Sequence, residues 1–173
     1  MQDMSESLRH YRRAADLLEQ KYRSDPENPA ARQHLSETLT YVASALLGAG
    51  QPDEERGLAL AKELADRPDS SADHVYNYAW LAVSVEPADL QDPSGALPHA
   101  LKAIQMGKGR NVIALHVSAQ AYAGTGDFVQ AVETEERALA LFPPGQPATT
   151  LQSTIERALN QYRSGLKQRE VKR

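Results

Sequence analysis

The stretch VIALHVSAQAYAGTGDFVQAVETEERALALFP, residues 112–143, decides the fold. Leu115, Ala119 and Tyr122 recur at helical spacing, then Gly124-Thr125-Gly126-Asp127 interrupts, and Phe128, Ala131 and Ala138 resume the stripe. Gly126 ends the first helix and Pro143 keeps the second from running on. A link this short makes the two helices antiparallel neighbours. Ala119 and Ala131 fall where the hairpin's helices come closest, and Ala138 admits whatever packs next.

The same rhythm extends in both directions. Residues 5–22 carry Leu8, Tyr11, Ala14, Ala15 and Leu18 on one stripe, stopped by Asp25-Pro26-Glu27-Asn28-Pro29. Residues 30–49 repeat it through Leu35, Leu39, Val42, Ala43, Leu46 and Leu47, and end at Gly48-Ala49-Gly50. Pro52 and the acids 53–55 open a third helix, buried through Leu58, Ala61, Leu64 and Ala65. Further helices are expected over 71–85, 96–106 and 149–164, with a longer link at 86–94 and a helix break at Gly107-Lys108-Gly109. No stretch offers the β-branched alternation of a strand. The expectation is an all-α chain of about eight helices.

Internal repetition organises these helices. The 112–145 copy is the clearest. A second, 72–108, places Ala79, Ala96 and Ala103 in the small positions, and 30–68 is a degenerate third. Residues 5–25 read as a half-repeat, 149–164 as a capping helix and 165–173 as a basic tail, within a single domain spanning 1–173. A small residue at 119, an aromatic at 122, small residues at 131 and 138 and proline at 143 resemble the tetratricopeptide signature. That resemblance implies a short right-handed superhelical solenoid. Segments 8–50 and 127–165, through Tyr11-Arg12-Arg13-Ala14, Asp25-Pro26, Arg32-Gln33-His34-Leu35 and Tyr162-Arg163-Ser164-Gly165, are similar to bacterial tetratricopeptide regions sometimes fused behind Ser/Thr protein kinase domains. No glycine-rich nucleotide loop or catalytic-loop motif accompanies them, so the resemblance implies a signalling context and nothing catalytic.

Composition narrows the function classes. Apolar residues at 41% and charged residues at 24% fit a folded chain whose alanines and leucines favour helix. The net charge of −4 leaves no basic field for a phosphate backbone, so nucleic acid is not expected. The basic tail reads as a solvated helix end suited to the dipole. Without cysteine there is neither disulfide nor thiolate chemistry. No apolar run approaches the ~20 residues of a membrane span, and residues 1–16 do not read as a signal peptide, so the expected location is the cytoplasm.

Catalytic constellations are missing from the pattern, and no metal or cofactor is expected. The five histidines form no metal-ligand spacing, and His34, His74 and His116 read as solvated or singly bonded surface groups near successive helix starts. Glu133, Glu135 and Glu136 read as an exposed face. Gly107-Lys108-Gly109-Arg110 lacks the full phosphate-loop pattern.

A docking role is better motivated. The family resemblance implies ligands on a concave face lined by first helices. Aligned repeats put Thr40 and Ser44 there, then Tyr76, Asn77 and Trp80, then His116 and Gln120. Trp80, the only tryptophan, is an aromatic anchor on one reading and packing between helices on the other. The basic clamp of relatives that grip a C-terminal carboxylate is missing here. The expected partner is therefore a peptide or helix of another protein. Self-association through the N-terminal half-repeat is the alternative, because an uncapped repeat leaves Leu8, Tyr11, Ala15 and Leu18 only partly covered by the helix over 30–47.

Overall fold

The computed structural model describes residues 2–46, 51–85, 88–145 and 147–171, with side chains described over 9–10, 13–38, 55–85, 88–145 and 147–168. Among these residues the chain is all-α. Its helices are α1 (Gln2–Ser24), α2 (Pro29–Leu46), α3 (Gln51–Asp66), α4 (Ala72–Ser84), α5 (Pro93–Met106), α6 (Val112–Gly124), α7 (Phe128–Leu139) and α8 (Thr150–Val171). A short 3-10 turn covers Ala88–Leu90. Two compact units divide at Gln91 and Asp92, inside the link between α4 and α5.

In the first unit α1 packs on α2 and α3 on α4, and α2 also touches both α3 and α4. Tyr22, Leu35, Leu64, Val75 and Tyr78 are its large buried side chains. Polar bonds fix the helix pairing. Tyr22 Oη donates to Glu63 at 2.7 Å, and Arg56 reaches Asp16 at 2.7 Å and also Glu19. Arg32, nearly buried, meets Asp69 at 2.9 Å, while Arg67 joins Glu27 and Asp69 at 2.7 and 3.0 Å. On α1, Ala15 and Leu18 are half-buried, whereas the side chains of Leu8 and Tyr11 lie outside the described residues, as do Gly48-Ala49-Gly50.

In the second unit α5, α6, α7 and α8 each pack on the next, the consecutive packing of a short helical solenoid. The alanines explain the close approach. Ala96, Ala103, Ala119, Ala131 and Ala138, small positions of the two clearer copies, are all buried here, as Ala79 is on α4 within the first unit. A side chain of one carbon at such positions lets helix backbones approach without the entropy cost of a longer one.

The turns follow from their caps. Asp92, Asn111 and Asp127 accept the N–H of Gly95, Ala114 and Gln130 at 2.8, 3.0 and 3.1 Å, satisfying first-turn donors of α5, α6 and α7. With Asp92 as cap and Pro93 at the first position, α5 starts inside the link expected at 86–94. Lys108 and Gly109 take φ of 53° and 73°, which ends α5 as the helix-break reading of 107–109 requires. Beyond Leu139 the N–H of Leu141 and Phe142 bond three residues back, so α7 closes in a tightened turn before the expected end at 142. α8 runs past 164 into the basic tail.

Candidate functional site

Position along α4 separates two sets of side chains. Val75, Tyr78, Ala79, Leu81 and Ala82 are buried toward the neighbouring helices. Asp73 is exposed and Tyr76, Asn77, Trp80 and Ser84 are half-buried. Their spacing puts them on one stripe of the helix. Asn77 Nδ2 donates to Ser36 Oγ on α2 at 2.8 Å, which pins that stripe to the helix beside it. Burial raises the Tyr76 hydroxyl to about 12, so it stays a neutral donor across the physiological range. The remaining residues expected on this face divide. Thr40 and Ser44 lie on α2, but their side chains fall outside the described residues. Gln120 is half-buried on α6 in the second unit.

His116, also on α6, is buried, and its Nδ1 lies 2.6 Å from Oε1 of Glu135 on α7. Two expectations are overturned here. Glu135 is 0% exposed rather than part of an exposed face, and His74 and His116 are buried, whereas His34 stays exposed. The reason for Glu135 is its register. It stands four residues after Ala131 and three before Ala138, on the face that α7 turns inward. Burial raises its carboxyl above the ordinary range, and the His116 bond only partly opposes that. Oε2 has no hydrogen-bond partner among the described residues. Tyr162 on α8 is raised as well, by burial first and by Glu135 second.

Between α7 and α8 an open depression of about 600 Å³ is floored by Phe128 and Tyr162, whose ring centroids lie 6.5 Å apart, and edged by Arg157, Gln161 and Gln168. Gly165 leaves room for the Phe128 ring, because a Cβ there would lie 3.0 Å from it.

Sequence reasoning missed Ser36, His74 and Glu135. Two of them carried a signal. Glu135 sat on the alanine stripe, and Ser71 followed three residues later by His74 matches the spacing of a capping box. Among the described residues no group of three or more His, Asp or Glu is placed to hold a metal ion, and no helix is long and apolar enough to cross a membrane. No family model, no curated protein and no solved structure matches the chain.

Proposed function

We propose that this chain is a non-catalytic scaffold of tetratricopeptide type that holds a peptide or helix of a protein partner along the α4 stripe. The supporting observation is the arrangement of Tyr76, Asn77 and Trp80. Two aromatic rings, partly open to solvent, stand on a helix whose opposite side is locked into the core, and the amide between them is tied to Ser36. Such a surface loses little side-chain entropy when covered, which is what makes aromatic anchors dominate interface energies. The bacterial signalling context belongs to this reading through the resemblance of residues 8–50 and 127–165, the cytoplasmic location through the sequence pattern of residues 1–16 and the short apolar runs, and neither cofactor nor nucleic acid has a part in it.

The test is site-specific photo-crosslinking at position 80 in cells that make the protein, with exposed Glu37 as the control position. The recovered partner is then titrated against wild type and a Tyr76→Ala/Trp80→Ala variant of unchanged helicity. Loss of a central aromatic pair weakens binding by about thirtyfold or more. Equal adducts from both positions, or unchanged affinity, refutes the reading.

A second reading, self-association through α1, draws on Leu17, a large apolar residue that is 49% exposed. Sedimentation across a hundredfold concentration range decides it, since a monomer throughout removes it.

A further inference from the structure

α4 begins with an unusual cap. Ser71 Oγ accepts the N–H of His74 at 3.2 Å, and the Ser71 N–H donates back to His74 Nδ1 at 3.4 Å. Together they form a capping box in which a histidine occupies the place usually held by Glu or Gln. The return bond needs a lone pair on Nδ1. The neutral ring therefore carries its proton on Nε2, which is buried without a hydrogen-bond partner among the described residues. His74 itself is 5% exposed.

We propose that His74 is an acid-sensitive latch: its neutral ring closes the cap of α4, and protonation opens the cap and loosens the helix that carries Tyr76, Asn77 and Trp80.

The step is a single proton transfer. A solvent proton takes the Nδ1 lone pair, the ring becomes an imidazolium with two N–H groups, and the Ser71 N–H then faces a donor instead of an acceptor. Charged groups from the surrounding elements set the balance. Arg32 from α2 and Arg67 after α3 oppose the positive ring, while Asp69 in the α3–α4 turn and Asp73 on α4 favour it. The two acids are committed elsewhere or exposed: Asp69 holds Arg32 and Arg67, and Asp73 points to solvent. Burial and then Arg32 keep the ring neutral below the ordinary histidine range. The direction of the effect follows. Because the folded value lies below the unfolded one of about 6.5, the cap's contribution is complete above that pH. It is lost as pH falls from there toward the folded value.

This inference rests on the docking reading only for its consequence, not for the latch itself, so it is tested on the free protein. Amide protection factors, corrected for the intrinsic effect of pH on exchange, are measured by NMR at pH 7.5 and pH 5 for Ser71 and the first turn of α4. The first turn of α2, capped by the non-titrating Asn28, is the internal reference. In wild type the α4 protection falls about five- to tenfold relative to that reference, the weight of one cap. In His74→Gln, whose side-chain oxygen accepts the Ser71 N–H at either pH, the ratio stays constant. Ring-nitrogen shifts of the wild type at pH 7.5 provide a check that needs no variant: they report Nδ1 as unprotonated. A protonated Nδ1 at pH 7.5, or equal behaviour of wild type and His74→Gln across the titration, overturns the latch. Either result leaves the docking test, run at pH 7.5 with the cap closed, to stand or fall by itself.

Discussion

Replacing Gly124 by alanine isolates the contact that seats α5 against α6. A Cβ built on Gly124 lies 2.5 Å from Cγ and 2.6 Å from Cβ of Pro93. Carbon atoms in contact settle about 3.5–4.0 Å apart, so the overlap amounts to roughly 1 Å. Pro93 cannot swing away, because its ring fixes φ and it opens α5 directly after the Asp92 cap. One helix must therefore move against the other, at about 1–3 kcal/mol for overpacking of this kind. Alanine returns less than about 1 kcal/mol of helix propensity, since Gly124 is the last residue of α6. The net expected loss is about 1–2 kcal/mol, and each kcal/mol lowers the melting midpoint of a unit this small by about 4–8 °C. Circular dichroism during thermal and urea unfolding reads both. A cycle with Pro93→Gly, which removes both clashing carbons, should show coupling, with Gly124→Ala costing much less in the glycine background. An unchanged midpoint for Gly124→Ala, or strict additivity in the cycle, would refute the contact as the cause.

Glu135→Gln removes a titration rather than a contact. The wild-type carboxyl is raised in the fold, so its contribution is complete below about pH 4.5 and is lost as pH rises through the raised value. Urea midpoints of wild type and variant should thus diverge with rising pH, with the wild type losing ground, and parallel curves would contradict the burial argument. Asn77→Ala removes the bond to Ser36, an expected loss of about 1 kcal/mol in urea unfolding, and a cycle with Ser36→Ala should show coupling between the two positions. Ala119→Val adds two methyl groups where the helix surface is fully buried and should cost about 1–3 kcal/mol by the same assay, against a negligible effect for the exposed Ala140 treated likewise.

Helix existence was legible because it depends on local chemistry. Apolar spacing, Asp or Asn before a helix and glycine or proline after it act within one turn, so all eight helices of the described residues announced themselves. Their ends were less legible for an equally physical reason. Whether α5 starts at Pro93 or later depends on Asp92 reaching the Gly95 N–H, and the tightened turn after Leu139 depends on which carbonyls remain free. Gly124 and Gly126 show the limit well. Both looked like turn residues, yet only Gly126 takes the left-handed conformation, at φ 85°, while Gly124 is helical and small because Pro93 lies over it. The division at Gln91 lies within the stretch that lengthened the second repeat, and no local pattern marks it.

The polar interior was hidden by the feature that made the repeat recognisable. In an alanine-rich solenoid the small residues define the inner face, and a long side chain on that face can thread between them. α6 is buried continuously from Ala114 to Ala119, so no exposed stripe tells His116 apart from its neighbours. Glu135 stands on the same buried face as Ala131 and Ala138 and meets His116 there. An acid in that register is costly unless it keeps a proton or gains a donor, and the 2.6 Å contact supplies one partner for only one of its two oxygens. His74 follows the same logic at a helix start, where one ring nitrogen is used by the cap and the other is left without a partner. A half-satisfied titratable group in each unit is therefore what close alanine packing yields when a polar residue takes an inward position. Periodicity finds such groups only if charged residues are placed on the stripe by register before they are classed by polarity.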